Sequence, residues 1–179
     1  DFEAIFVPGL LQTGEYARAV ISRNVNVPPD EVDDRVAARL ARQSLFSRDQ
    51  PARFTFYLHE SVLRTPVGGR AVMAEQLDHL LRMSGRRYLA LRVVPTSLGA
   101  HAAMTGAFRL MEFAEFKPVA YLESETSCLF LEKPEEIRAY QRILGALADT
   151  ALSEGQSRNL IATLATGLYA DREDHHDRA

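Results

Sequence analysis

The clearest candidate for chemistry is an acidic pair in "YLESET", where Glu123 and Glu125 would share one face if a strand continued through both. Such a pair at a strand end is typical of ADP-ribosyltransferases, in which one carboxylate steers the acceptor and the other holds a ribose hydroxyl. Those enzymes also need an early-strand Arg or His, for which Arg92 and His59 are candidates, and a Ser-Thr-Ser-like strand that nothing here matches well. A hairpin turn with two solvated acids explains the pattern more simply, so the transferase is an alternative interpretation.

A second candidate is the stretch 95–106, about twelve residues without an obvious element, with His101 near its middle and Thr105 at its exit. Loops of this length inside compact domains tend to be functional or mobile. Loops that follow strand ends often form ligand-binding rims, which suggests a small-molecule sensor as a further alternative. A long surface crossover is the simpler interpretation.

Three arginines, Arg35, Arg39 and Arg42, recur at i, i+4 and i+7 of a predicted helix. They could contact phosphate or an acidic protein partner, although a solvated helix face is the simpler interpretation. Because leucines stand beside these arginines, a protein partner is the favoured ligand.

The stretch "VPGLLQTGEYARAV" places Leu10 and Leu11 directly after a Pro-Gly break, with Tyr16 on the following helix. We interpret them as an anchor to the rest of the chain or to a partner. We therefore expect Leu10 or Leu11 to be buried close to the arginine-bearing helix. A local hydrophobic staple at the helix entry is the alternative.

The sequence gives little support for metal binding, nucleophilic catalysis or phosphate binding. No His or Cys spacing fits a zinc site, and neither a Gly-x-Ser-x-Gly elbow nor a phosphate-binding glycine loop is present. We expect no metal and no cofactor. Cys128 lies in the apolar stretch "SCLFLE", which predicts a buried structural thiol.

These residues must be positioned by elements whose periods can be read from the sequence. Helical periodicity is found in 14–21, 31–46, 70–85 and two C-terminal stretches, one starting at Pro134 and one with a capping box formed by Ser153 and Gln156. Strand patterns cover 54–59, 88–95, and three short stretches within 107–132.

The order of these elements predicts a mixed α/β fold. A helical N-terminal arm (1–50) would precede a body (51–170), followed by a polar tail (171–179). In the body, a βαβ unit and antiparallel strands would form one mixed sheet, followed by two helices. The nearly continuous apolar strand with Leu89, Leu91 and Val93 should be central and buried.

Composition sets the outer bounds. The chain has 179 residues, is 46% hydrophobic and carries a net charge of −3, which argues against a nucleic-acid-binding surface over its whole length. A single cysteine suggests a reducing cytoplasm. No apolar run approaches the ~20 residues that span a bilayer, so no membrane is expected as a partner.

An ordered series of motifs gives a family resemblance over 2–168. The chain resembles the C-terminal domain, of unknown function, of actinobacterial helix-turn-helix (XRE-type) antitoxin-like transcriptional regulators of the WhiJ type. The motifs are "VPGLLQTGEYARAVI", "RVAARLARQSLF", "VLRTPVGG", "VMAEQLDHLL", "RVVPTSLGAHAAMTGAFRLMEF", "VAYLESETSCLFLE" and "LSEGQSRNLI".

The resemblance implies an effector domain that binds a small acidic partner protein of the BldB type, with DNA read only by a helix-turn-helix outside this chain. It supplies no catalytic residues. We expect the chain to transmit binding of a protein partner or ligand to that DNA-binding domain, with a homodimer as one assembly it would allow. The candidate binding residues are Leu10, Leu11, Tyr16, Arg35, Arg39, Arg42, His101 and Thr105.

Overall fold

The computed structural model describes residues 1–169 and confirms the mixed α/β fold. Its helices are α1 (Gly14–Ile21), α2 (Val32–Ala41), α3 (Glu60–Arg64), α4 (Arg70–Met83), α5 (Pro134–Thr150) and α6 (Glu154–Leu168). Its strands are β1 (Phe2–Glu3), β2 (Phe54–His59), β3 (Leu89–Val94), β4 (Arg109–Met111), β5 (Val119–Glu123) and β6 (Cys128–Leu131). None of the described helices is both long and apolar enough to cross a membrane.

The chain forms two compact units, each assembled from separate segments. The sheet unit comprises 1–7, 53–62 and 87–157, and the helical unit comprises 8–52, 63–86 and the described part of 158–179. This division differs from the predicted arm (1–50) and body (51–170), because β1 pairs with the distant β2 and so places the first residues in the sheet unit. No local sequence pattern predicts pairing between two strands that lie so far apart in the chain. The predicted tail (171–179) lies outside the described residues.

The parallel sheet of the sheet unit has the strand order β1-β2-β3. β2 and β3 are parallel and are joined through α3 and α4, which confirms the βαβ unit. Leu89, Leu91 and Val93 are buried as predicted, with exposures of 3%, 1% and 0%. The central strand is nevertheless β2 rather than β3, since β1 pairs with the other edge of β2.

The outer edge of β3 is covered by the connection between α5 and α6. The N–H of Leu152 donates to the carbonyl of Val93 (2.9 Å), and the N–H of Val93 donates to Ser157 Oγ (2.9 Å). The guanidinium of Arg92 donates to the carbonyls of Ala151 (2.7 Å) and Leu152 (2.9 Å). The N–H and the carbonyl of Val93 at this edge are therefore satisfied within the sheet unit.

The three short strands form a second, antiparallel sheet with the order β4-β5-β6. The prediction of one mixed sheet is wrong in this respect. An isolated bridge between Phe2 and Phe108, with reciprocal hydrogen bonds of 2.9 and 3.2 Å, lies beside β1 and β4. Because β1 has only two residues, the ladder does not continue from one sheet into the other.

One face of the antiparallel sheet belongs to the core of the sheet unit. Leu122 of β5 packs against this core together with apolar side chains of α5, among them Tyr140 and Leu144. The ring centroids of Phe108 and Tyr140 are 4.8 Å apart. Tyr121 alternates with Leu122 along β5 and so lies on the opposite face, which α5 does not cover.

Both C-terminal helices begin where the sequence predicts. α5 starts at Pro134, whose fixed φ suits the first helical position. At α6 the N–H of Ser153 donates to Gln156 Oε1 (2.9 Å) and the N–H of Gln156 donates to Ser153 Oγ (3.3 Å). These reciprocal bonds confirm the predicted capping box.

In the helical unit, α1 and α2 share a small apolar cluster of Ala17, Ile21, Val32 and Val36. α1 is capped by Thr13, whose Oγ1 accepts from the N–H of Tyr16 (3.3 Å). The helix predicted over 31–46 is α-helical only to Ala41 and continues as a 3-10 turn over Arg42–Ser47.

Gly68, in the loop before α4, offers a direct test of this packing. Its φ is +71°, and a Cβ added there would lie 2.9 Å from the Cβ of Ala19 and 2.9 Å from Cγ1 of Val72. We expect Gly68→Ala to destabilise the protein by roughly 1–3 kcal/mol, because strain and overlap add. Urea unfolding of Gly68→Ala and of Gly69→Ala separates backbone strain from steric overlap. At Gly69 the φ is also positive (+93°), but nothing lies within 4 Å of an added Cβ. Equal losses would show that overlap at Gly68 contributes nothing.

Candidate functional site

One buried side chain of α4 fixes the segment Leu11–Thr13. Gln76 is fully buried, and its Oε1 accepts from the N–H of Thr13 (2.8 Å) while its Nε2 donates to the carbonyl of Leu11 (2.7 Å). The sequence interpretation missed Gln76. The available signal is its spacing from Met73 and Leu77, which places this polar residue on the apolar stripe of α4.

One of the two leucines, Leu11, has the predicted burial. Leu11 is fully buried, and Gln12 beside it accepts a hydrogen bond from Arg39 of α2 (2.8 Å). The expected location close to the arginine-bearing helix is therefore confirmed. Tyr16 is also fully buried, whereas Leu10 is partly exposed. Of these three candidates only Leu10 presents surface to a partner.

The predicted arginine stripe is partly used within the helical unit. Arg35 pairs with Glu31 one turn earlier (2.7 Å), and Arg39 donates to Gln12. Arg42 is exposed at the start of the 3-10 turn after α2. The stripe therefore offers an acidic partner less positive charge than three unengaged arginines would.

The loop over 95–106 packs against strands of the parallel sheet. The ring of His101 stacks on His59 (centroids 5.6 Å apart) and meets Phe2 edge-on (5.5 Å). Burial, and secondarily the neighbouring His59, lower the pKa of His101, which favours the neutral form of its ring. Ala103 is buried, whereas Thr105 is exposed at the exit of the loop.

His59, the last residue of β2, caps the short helix α3. Its Nδ1 accepts from the N–H of Ser61 (3.3 Å), and Ser61 Oγ lies 2.6 Å from the same nitrogen. These contacts satisfy a helix-terminal N–H, which is a structural role. Within residues 1–169, no three His, Cys, Asp or Glu side chains converge to hold a metal ion.

The acidic pair does not have the geometry expected of a transferase. β5 ends at Glu123, and a turn follows in which the N–H of Ser124 donates to the carbonyl of Ser127 (2.8 Å). Glu125 falls in this turn, so the two carboxylates do not share a strand face. Arg92, the early-strand candidate, is engaged with the connection after α5.

β6 is the apolar strand that the structure leaves exposed. The prediction that Cys128 is buried is wrong, since it is exposed. Leu129 and Phe130 are 54% and 58% exposed, because β6 lies at the edge of the antiparallel sheet. We refer to these three residues as the β6 surface. An apolar sequence alone cannot distinguish a buried strand from an exposed edge.

Further aromatic side chains of the sheet unit either contact β6 or are themselves exposed. Phe130 packs against Tyr121 on the neighbouring β5, with ring centroids 5.0 Å apart. In the connection between β4 and β5, Phe113 and Phe116 are 48% and 75% exposed. Exposed apolar side chains concentrated on one small sheet are typical of protein interaction sites.

The segment that carries the β6 surface is strongly acidic. Residues 112–136 contain seven glutamates and two lysines, whereas the whole chain has a net charge of only −3. The glutamates are Glu112, Glu115, Glu123, Glu125, Glu132, Glu135 and Glu136. Negative charge therefore flanks the apolar β6 surface along the sequence on both sides.

Glu3, at the end of β1, is a carboxyl group whose pKa is shifted by its surroundings. Burial raises its pKa to about 7, and the nearby Glu123 acts in the same direction. Arg109 acts in the opposite direction but does not compensate for burial. Near neutral pH, Glu3 is therefore partly protonated.

This shift makes a pH-dependent prediction. The folded pKa of Glu3 lies above its ordinary value of 4.5, so its contribution to stability is fully present below pH 4.5 and is lost as the pH rises through 7. We expect Glu3→Gln to match the wild type in thermal stability near pH 4.5 and to become progressively more stable than it toward pH 8. A difference in melting temperature that is constant over this range would contradict the shift.

Comparison with known proteins gives one match. A family model described as Domain of unknown function (DUF5753) matches residues 1–163. No curated protein and no solved structure matches the chain. The family match spans segments of both units.

Proposed function

The chain belongs to the DUF5753 family, and we propose that it is the effector domain of a helix-turn-helix transcriptional regulator, in which it binds a protein partner. One observation carries the proposal: the β6 surface is an exposed apolar strand edge. Contiguous backbone and apolar groups left open at a sheet edge are ready-made for pairing with another chain. Partner binding at this domain would bias the DNA-binding state of a helix-turn-helix outside the chain.

A small acidic partner of the BldB type, implied by the family resemblance, remains part of the proposal. Such a partner suits Arg42, which is exposed beside α2, through its overall charge. An acidic protein can also carry a basic segment, just as this acidic chain carries a basic stretch with Arg39 and Arg42. A basic segment would suit the acidic surroundings of β6.

The two alternatives have less support from the geometry. The transferase needs Glu123 and Glu125 on one strand face, and Glu125 lies in the turn beyond it. The small-molecule sensor needs a space beneath the loop over 95–106, where His101 and Ala103 instead pack onto the sheet unit.

The test is complex formation between the intact regulator and a small acidic protein of the BldB type. We expect a complex in calorimetry that Phe130→Ser weakens by about tenfold, the usual effect of losing an apolar anchor. No complex at any concentration tested would contradict partner binding. NAD hydrolysis that is lost in Glu123→Gln would favour the transferase instead.

A further inference from the structure

We infer that β6 accepts an extended, basic segment of a protein partner as a fourth strand of the antiparallel sheet. This inference rests on the proposed function and adds the binding mode and the chemistry of the segment. It follows from the backbone edge of β6, from its side chains and from the charge of the neighbouring residues.

The first step concerns the backbone. β6 is the outermost strand in the order β4-β5-β6, and in residues 1–169 no further strand pairs with it. The other long strand edge, that of β3, is covered at Val93, whose carbonyl accepts from the N–H of Leu152 and whose N–H donates to Ser157 Oγ. The sheet unit thus covers one edge with its own chain and leaves β6 available for β-augmentation.

The second step concerns protection. Edge strands are usually blunted by charges, prolines or bulges, which prevent pairing with other chains. The four residues of β6, "CLFL", contain no charge and no proline, and they pair with β5 in regular register from Cys128 to Leu131. A strand of this kind is suited to receive another strand.

The third step concerns the side chains. Leu129 and Phe130 alternate across the two faces of the sheet, and each is more than half exposed. An added strand would bring its own alternating side chains beside them at about 4.5–5.5 Å. A partner strand with alternating apolar and basic residues would cover one of them with an apolar side chain and the other with the alkyl stem of a lysine or arginine.

The fourth step concerns charge. Seven glutamates against two lysines in 112–136 favour a segment that carries lysine or arginine. A second copy of this chain is disfavoured, because antiparallel pairing of two β6 strands would bring Glu132 of each copy near the acidic turn with Glu125 of the other. The occupant is therefore a heterologous, basic segment.

Three fluorescent peptides separate charge from strand addition when they are titrated with the intact regulator. They are Lys-Val-Lys-Val-Lys-Val-Lys, its counterpart with glutamate in place of every lysine, and the basic peptide with its central valine replaced by proline. Proline removes a ladder donor but keeps the charge. We expect the first peptide to bind at least about tenfold more tightly than either of the others.

Hydrogen exchange and variants locate the binding site. We expect the basic peptide to slow amide exchange in β6, Phe130→Ser to weaken binding about five- to tenfold, and Glu132→Lys to weaken it about as much. Glu15→Lys, the same charge change on an exposed position of α1, is the matched control and should leave the affinity unchanged. In sedimentation experiments, we expect the wild type to form no dimer that is lost in the Phe130→Ser variant.

Several outcomes would overturn the inference. Equal binding of the proline peptide would show that only charge is recognised, and protection confined to residues outside β6 would place the site elsewhere. A dimer dissolved by Phe130→Ser would identify a second copy as the occupant. If the regulator bound its small acidic partner but Phe130→Ser left that affinity unchanged, partner binding itself would stand, whereas β6 would be excluded as the binding site and this inference would fail.

Discussion

Replacing Gln76 by leucine should destabilise the protein by roughly 2–5 kcal/mol. Gln76 is fully buried and satisfies both the N–H of Thr13 and the carbonyl of Leu11. Leucine has a similar size but no polar atoms, so both peptide groups would lose this partner. Each buried, unsatisfied group costs about 1–3 kcal/mol. Urea unfolding followed by circular dichroism measures the loss.

Gln50→Leu is the matched control for this prediction, because Gln50 is exposed in the helical unit. A surface change of this kind should alter stability by no more than about 0.5 kcal/mol. A loss for Gln76→Leu as small as that of the control would show that Gln76 does not fix the segment Leu11–Thr13.

Leu91→Ala should cost about 2–5 kcal/mol, whereas Leu129→Ala should cost less than about 1 kcal/mol. The two residues share their chemistry and both lie in strands of the sheet unit, but Leu91 is 1% exposed and Leu129 is 54% exposed. The first substitution leaves a cavity and the second removes surface that is already in water. Their difference in unfolding free energy therefore measures whether β6 is an open edge.

A large loss for Leu129→Ala, comparable to that for Leu91→Ala, would show that β6 is covered in the isolated protein. That result would remove the observation on which partner binding depends. Far-UV circular dichroism of both variants confirms that each retains its fold before the free energies are compared.

The helices and the βαβ unit could be predicted because their signals are local. Pro134 marks the start of α5, and the side chains of Ser153 and Gln156 mark the start of α6, within three residues of sequence. The apolar run with Leu91 predicts a buried strand for the same reason. Such features depend on period and capping rather than on distant partners.

The remaining features depend on contacts between distant residues. β1 has two residues and exists because Phe2 pairs opposite Tyr57, so no pattern within the first residues predicts it. Cys128 and its neighbours have the composition of a buried strand, and only the strand order shows that they lie at an edge. The candidate site therefore became apparent only from the structure.

On the proposed function, titration of operator DNA with the intact regulator, with and without saturating partner, measures most directly whether this domain is an effector. We predict that partner binding changes the operator affinity about 5- to 150-fold, the range of ordinary coupling free energies. We further predict that Phe130→Ser, at partner concentrations that saturate the wild type, brings this ratio toward one without changing the affinity for DNA alone. An operator affinity that is identical with and without bound partner would contradict the proposed function.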